Sequence, residues 1–442
     1  MNSMFEIKNL KLKVLTLILL NIQFSIAQQG SPAAKQGKSI LLKGGVAHLG
    51  NGKVIENSLI GFKEGKLSIV ADAGILNTSD LKFDEIIDIK GKQIYPGFIA
   101  PNSTLGLVEI DEVRASQDFK DIGSILPHVR SIIAYNTDSK IIPTVRSNGV
   151  LMTQVTPRAG LISGTSSIVE LDGWNWEDAV YKIDDGIHLN WPRTIKLSGG
   201  MDPLELDKNK EINKQIIELT KFFKDALAYE ECKVQEEKNL RLEAMKGLFD
   251  GRKTLFIHAN YVKEISEAIN FSKSMQVKKM VIVGGKDSWM LTDLLKENNV
   301  SVMVSRLHDL PEKPEDDIDL PFKLPYLLQK AGVLFCLNNE GEMEAMGTRN
   351  LPFYAGTAIA YGLTREEAIM AISSNTAKIL GIDARIGTIE VGKDATIIIS
   401  TGDALNMKTN NIELAYLRGK SIALKNNQQE LYEKYKKKYG MN

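Results

Sequence analysis

The chain has little that would cross-link or charge it. It holds two cysteines, Cys232 and Cys336, far apart and without zinc-ligand spacing. One disulfide is formally open, but two separate thiols fit better, because Cys336 lies in an apolar run of the kind that buries a free cysteine. Only five histidines occur in 442 residues, so an imidazole-built metal centre has few positions to draw on. Lysine plus arginine and aspartate plus glutamate number 55 each, which leaves no excess charge to attract nucleic acid or an anionic membrane. Beyond the amino-terminal segment, no apolar run is long enough to span about 30 Å of hydrocarbon. With 43% hydrophobic and 25% charged residues, the composition is that of a globular chain with room for one large domain and a smaller one.

The amino terminus reads as a secretory signal peptide over residues 1–27. Lys8, Lys11 and Lys13 precede an apolar run at 14–20, and Ser25, Ile26 and Ala27 form a small-x-small cleavage site. The expected location is secreted or periplasmic after cleavage near Ala27. Residues 28–38 are small and polar, a linker.

From Ser39 to Tyr95, short apolar runs alternate with glycine turns, at Gly44-Gly45, Gly50-Asn51-Gly52, Gly65 and Gly91. That spacing predicts antiparallel strands. Residues 93–106, QIYPGFIAPNSTLG, then run from a Pro-Gly turn through a short apolar strand into Asn102, Ser103 and Thr104. Such a strand delivers small polar side chains to a site at its end.

Strands and helices alternate from there, as a parallel barrel requires. Strands are expected at 149–155, 168–172, 254–260, 281–285, 300–304 and 332–337, with a Gly/Ser/Thr loop at 160–167. Asp207 is the expected cap of a helix carrying Ile212, Ile216, Leu219, Phe223 and Ala226. A second helix carries Leu240, Ala244, Met245 and Leu248 and stops at Gly251. Thr364 and Glu367 form a capping box. The charged tail, 426–442, reads as an exposed helix. His128 and His188 read as loop residues, and His48 as structural.

At Pro96, Gly97, Phe98 and Ile99 the chain resembles the amidohydrolase superfamily, whose first barrel strand reads P-G-[FL]-[IV]-D-x-H-x-H. Residues 386–399, IGTIEVGKDATIII, resemble that family's return strand, and residues 375–381, NTAKILG, its late N-P-A-x-x-[LF]-G signature. The similarity is to imidazolonepropionase-like amidohydrolases. It implies an α/β fold: a (β/α)8 TIM-like barrel over 96–384 and a small β-sandwich built from both ends of the mature chain, 39–95 and 385–425.

The resemblance also implies a site at the carboxyl ends of the barrel strands. Family members bind divalent metal there, which lowers the pKa of a bound water to about 7. Here Ala100 stands at the Asp position of the first strand, and Asn102 and Thr104 at its two histidine positions. His258 matches the fifth-strand ligand, Gly284 falls at the sixth-strand ligand, and Glu340 falls at the eighth-strand Asp. Lys196 is the candidate for the fourth-strand lysine, although a solvated lysine fits the same pattern. Losing imidazoles removes tight zinc binding. The expected cofactor is therefore at most one weakly bound, zinc-like divalent metal, with His258, Glu340 and His308 as ligands.

Glu340 and His258 are the expected catalytic residues. Asn102, Thr104, Thr156, Asn339 and Asn350 are the expected substrate-binding residues, for a small polar molecule. Trp174 and Trp176 read as packing anchors, with stacking on a flat ligand as the alternative. Two functions remain open. One is a hydrolase of non-peptide carbon–nitrogen bonds, of the cyclic amide type. The other is a catalytically inactive relative that binds a ligand or partner through the same barrel mouth. Membrane insertion and nucleic-acid binding are not expected, and a homo-oligomer stays open.

Overall fold

Alternation of apolar residues with glycine turns produces the strands expected near the amino terminus. In the computed structural model, which describes residues 32–75, 81–193, 195–197, 206–208, 211–232, 237–311, 313 and 315–441, they form two facing sheets. The signal segment expected at 1–27 lies outside the described residues. One sheet joins β1 (Ile40–Lys43), β4 (Ser58–Lys63), β5 (Lys66–Asp72) and β6 (Glu85–Asp88) in the order β5-β4-β1-β6. The other joins β2 (Val46–His48), β3 (Val54–Ile55) and β7 (Gln93–Pro96) to β18 (Ile397–Ser400), β19 (Ile412–Leu417) and β20 (Lys420–Ser421), in the order β20-β19-β18-β7-β2-β3. The two ends of the chain meet where Tyr95 pairs with Ile398.

Between the sheets Leu42, Ile60, Phe62, Ile94, Ile397, Ile399 and Tyr416 are buried together. Full burial of each such side chain contributes about 1.5–3 kcal/mol. Deleting residues 386–424 would remove three strands from the six-stranded sheet and leave the β7 edge and Ile94 bare. We expect the truncated chain to aggregate, because an open strand edge templates pairing. Sedimentation of the expressed protein checks this, and a soluble truncation that unfolds cooperatively would contradict it.

The barrel sheet runs β8 (Phe98–Ser103), β9 (Val150–Val155), β10 (Ile162–Glu170), β11 (Val180–Asn190), β14 (Thr254–Ala259), β15 (Met280–Gly284), β16 (Ser301–Val304) and β17 (Phe335–Leu337). Neighbours pair in parallel except around β10, which runs antiparallel to both β9 and β11. The segment expected as a loop at 160–167 thus mostly belongs to this reversed strand. Gly164 permits it: φ is +140° there, and an added Cβ would stand 2.5 Å from the Val129 carbonyl oxygen.

Among the described residues no ladder joins β17 to β8. The helix Ser374–Leu380 packs on both strands, and Ile99 N donates to Ile372 O at 2.9 Å just beside it. Gly381 ends that helix in the left-handed conformation. The helix Ile212–Glu231 forms as its periodicity predicts, but Asp207 does not cap it. Asp207 lies in β13 (Leu206–Lys208), which pairs with β12 (Ile195–Leu197) in a separate two-stranded sheet. The capping box at Thr364 and Glu367 is present, as is the tail helix Asn427–Lys438. No helix among the described residues is long and apolar enough to cross a membrane.

Candidate functional site

Period-two alternation builds the floor of the site. Met152, Phe256, Met303 and Cys336 share one apolar cluster inside the barrel, closed by Ala377, Ile379 and Leu380 from the seam helix. Two residues further along the same strands, on the same face, come Gln154, His258, Ser305 and Asn338. An apolar plug therefore carries a polar layer at the carboxyl ends of the strands. Above it opens a cleft of about 800 Å³, lined among others by Thr104, Arg158, Trp191, His258, Asn260 and Glu340.

Glu340 follows β17 and receives three side chains. Ser305 Oγ donates to Oε1 at 2.9 Å, and Asn102 Nδ2 and Asn338 Nδ2 approach Oε2 at 3.4 and 3.3 Å. Burial raises the Glu340 carboxyl above the ordinary carboxylate range and neighbouring Glu344 adds to this, while Ser305, Arg158 and Lys286 oppose it. Asn102 adopts φ +48°, a left-handed conformation that asparagine tolerates better than most residues. A buried relay holds it there: Asn102 N donates to Gln154 Oε1 at 3.0 Å, and Gln154 Nε2 donates to Asp185 Oδ2 at 2.8 Å. Arg158 closes one wall, donating to both carboxylate oxygens of Glu344 at 3.1 Å and to Asn102 O at 2.8 Å.

His258 meets a partner that the sequence did not suggest. His188, expected in a loop, lies on β11, the fourth barrel strand, and its Nδ1 stands 3.0 Å from His258 Nε2. His188 is fully buried and stacks on Phe256 at 4.8 Å between ring centres. Burial, with Arg158 and Arg193 nearby, lowers the His258 pKa to about 3, and burial drives His188 well below its ordinary value. Burial thus favours the neutral form of both rings. Lys196, expected on the fourth strand, lies on β12, outside the barrel sheet.

The other expected site residues divide. Thr104 lines the cleft with His258 and Glu340. Thr156 ties strand ends together, donating from N to Ser103 O at 2.9 Å. Asn339 bridges Tyr354 Oη at 2.6 Å and Glu344 O at 2.8 Å, a packing role. Asn350 closes the short helical turn Thr348–Asn350, outside the residues that line the cleft. His308 is exposed, bonds Thr357 Oγ1 at 2.7 Å and lines a different pocket. Trp176 packs against the core, whereas Trp174 is exposed. His48 is structural, held by Glu366 at 2.6 Å and Gln93 at 2.9 Å.

These positions do not fit a binuclear zinc centre. Asn102, Thr104 and Gly284 offer no imidazole. Gly284 has φ +97°, and an added Cβ would stand 2.3 Å from Asn260 Oδ1, so Asn260 fills the space a sixth-strand ligand needs. His258 Nε2 is engaged by His188. Among the described residues no group of three or more His, Cys, Asp or Glu side chains is placed to hold a metal.

The amidohydrolase family model matches residues 237–422, from just before the helix Leu240–Asp250 through β20. Among solved structures, an amidohydrolase from Thermotoga maritima MSB8 superposes with a TM-score of 0.74 at 23% identity, over 87% of this chain and 99% of that one. A prolidase complexed with N-methylphosphonate-L-proline gives 0.54 at 15%, over 87% and 99%. An adenosine deaminase from Xanthomonas campestris with bound zinc gives 0.51 at 13%, over 93% and 99%. Identities this low speak for the fold alone. No curated protein sequence matches the chain significantly.

Proposed function

We propose that the chain, which matches the amidohydrolase family model over residues 237–422 and shares the fold of a solved amidohydrolase, hydrolyses a non-peptide carbon–nitrogen bond, of the cyclic amide type, in a small polar molecule, without a binuclear metal. The observation that carries this reading is Glu340, a partly buried carboxyl of raised pKa that lines the open cleft together with His258 and is held by Ser305, Asn102 and Asn338. Burial makes its carboxylate a stronger base than an exposed one. Glu340 would take a proton from water as the oxygen adds to the carbonyl carbon. It would return that proton to the nitrogen as the C–N bond breaks, leaving an amine and a carboxylic acid, which then releases its own proton to solvent. A prolidase and an adenosine deaminase among the structural neighbours favour carbon–nitrogen chemistry by analogy.

A second reading is a binding protein without turnover, favoured by Asn102, Thr104 and Gly284 at positions where the family carries histidine. Incubating the purified protein with lactams, cyclic ureides and an Xaa-Pro dipeptide, with chelator present, separates the readings. Ring opening seen by mass spectrometry supports the first. Cleavage of the dipeptide alone would overturn the non-peptide assignment. Thermal stabilisation by a cyclic amide without conversion would favour the second.

We also propose export, on Lys8, Lys11 and Lys13, the apolar run at 14–20 and Ser25-Ile26-Ala27. The mature chain is then expected to begin at Gln28. Intact mass of protein from an exporting host checks this, and a product retaining residues 1–27 would refute it.

A further inference from the structure

The pairing of buried His188 with cleft-lining His258 deepens the proposed function and depends on it for its chemical meaning. His188 Nδ1 and His258 Nε2 are 3.0 Å apart, so one donates and the other accepts. Among the described residues neither ring has a carboxylate partner, and burial favours the neutral form of both, with one proton each. Two arrangements satisfy these facts. In the first, His188 carries its proton on Nδ1 and donates to His258 Nε2, and His258 carries its own proton on Nδ1. In the second, His258 donates from Nε2, and His188 must carry its proton on Nε2.

His188 Nε2 decides between them. It is buried and has no hydrogen-bond partner. The second arrangement strands an N–H there, and the first strands only a lone pair. Buried donors without acceptors are rarer in folded proteins than under-satisfied acceptors. Phe256 stacks on the His188 ring and resists its reorientation. On the other side of the pair, His258 lines the cleft, and among the described residues no hydrogen bond engages its Nδ1.

We infer that His188 is a positioning residue that fixes His258 as its Nδ1–H tautomer, so that the cleft floor presents a fixed N–H donor in place of a metal ligand. The ligand group such a donor suits is a carbonyl oxygen. A neutral imidazole N–H polarises a carbonyl and stabilises the negative charge that builds on its oxygen as water adds. The same arrangement withdraws His258 from metal chemistry, because one nitrogen bears a proton and the other is occupied by His188.

Long-range proton–nitrogen NMR spectra of the whole protein, labelled at histidine nitrogen, test this independently of turnover. Spectra of His258→Gln and His188→Leu assign the signals. Wild-type His258 should appear as the Nδ1–H form, unchanged between about pH 5 and 8, where an ordinary histidine titrates. One equivalent of zinc chloride should not move its signals. In His188→Leu the Nδ1–H population of His258 should fall, since nothing then holds Nε2. A wild-type His258 found as the Nε2–H form would overturn the inference even if that variant fails to fold. Zinc-induced shifts of the His258 signals would overturn it too. The inferred tautomer in a protein that hydrolyses none of the cyclic amides would support the pairing and count only against the hydrolase reading.

Discussion

Glu340→Gln is expected to lower the rate of carbon–nitrogen hydrolysis by about two to four orders of magnitude, the usual worth of a positioned acid–base group, and to make the folded protein more stable at neutral pH. The two effects share a cause. Burial raises the Glu340 carboxyl above its ordinary value of 4.5, so the folded state favours the protonated form. A group of that kind contributes stability below its unfolded pKa, and the contribution is lost as pH rises through the folded value. The amide variant keeps a neutral side chain at every pH and loses nothing on that account. The stability gap between variant and wild type should therefore open as pH rises above the ordinary carboxyl value of 4.5 and close at the acid end. Catalysis runs the other way: the wild-type rate should climb with pH as the carboxylate forms. Thermal melts and pH–rate profiles measure the two sides. A variant with full activity would remove Glu340 from the mechanism, and a variant less stable at neutral pH would show that Ser305, Asn102 and Asn338 compensate the buried charge.

The parts of this site that were legible in sequence are those carried by regular strands. His258 follows from TLFIHA, an apolar run that β14 reproduces over its full length, and Glu340 from the short strand before it. Asn102 follows from the Pro-Gly turn that starts β8. His188 was hidden because its strand does not look like one. Asp184, Asp185 and Gly186 break the apolar pattern with residues that usually mark turns. In the structure Asp184 takes a left-handed φ of +52°, and the ladder to β10 slips there. Asp185 turns inward, and Ser166 and Gln154 satisfy it. A bulge thus carries a buried carboxylate through the middle of a barrel strand, which single-sequence periodicity reads as a loop. The reversal of β10 was hidden for a related reason. Gly160 and Gly164 signal a turn, but only close approach to the Ser124 and Val129 carbonyls makes glycine necessary there, and that contact is tertiary. His308 was placed near the seventh-strand exit from sequence order, which says nothing about which side of the chain the ring takes.

Asn102→His combined with Thr104→His is expected to turn a chain that keeps well under one equivalent of zinc through dialysis into one that retains about one. The side chain at 102 already points at Glu340, with Asn102 Nδ2 3.4 Å from Oε2, and Thr104 lines the same cleft. Two new imidazoles, Glu340 and His258 would make a four-ligand set. Histidine also tolerates the left-handed backbone at 102 better than most residues. The fourth ligand is the weak point. His258 can offer its Nδ1 lone pair only by moving its proton to Nε2, which leaves a buried N–H on His188 without an acceptor. An unpaired donor costs about 1–3 kcal/mol, and about 1.4 kcal/mol is tenfold in affinity. Adding His188→Asn should recover that loss, because an amide turns either way and can accept from His258 Nε2. The triple variant is therefore expected to bind zinc roughly five- to a hundredfold tighter than the double variant. Competition against a chromogenic chelator measures both affinities. A wild-type chain that holds two equivalents of zinc through dialysis would overturn this account of the site. A double variant that gains no zinc would show that the side chains at 102 and 104 do not converge with Glu340.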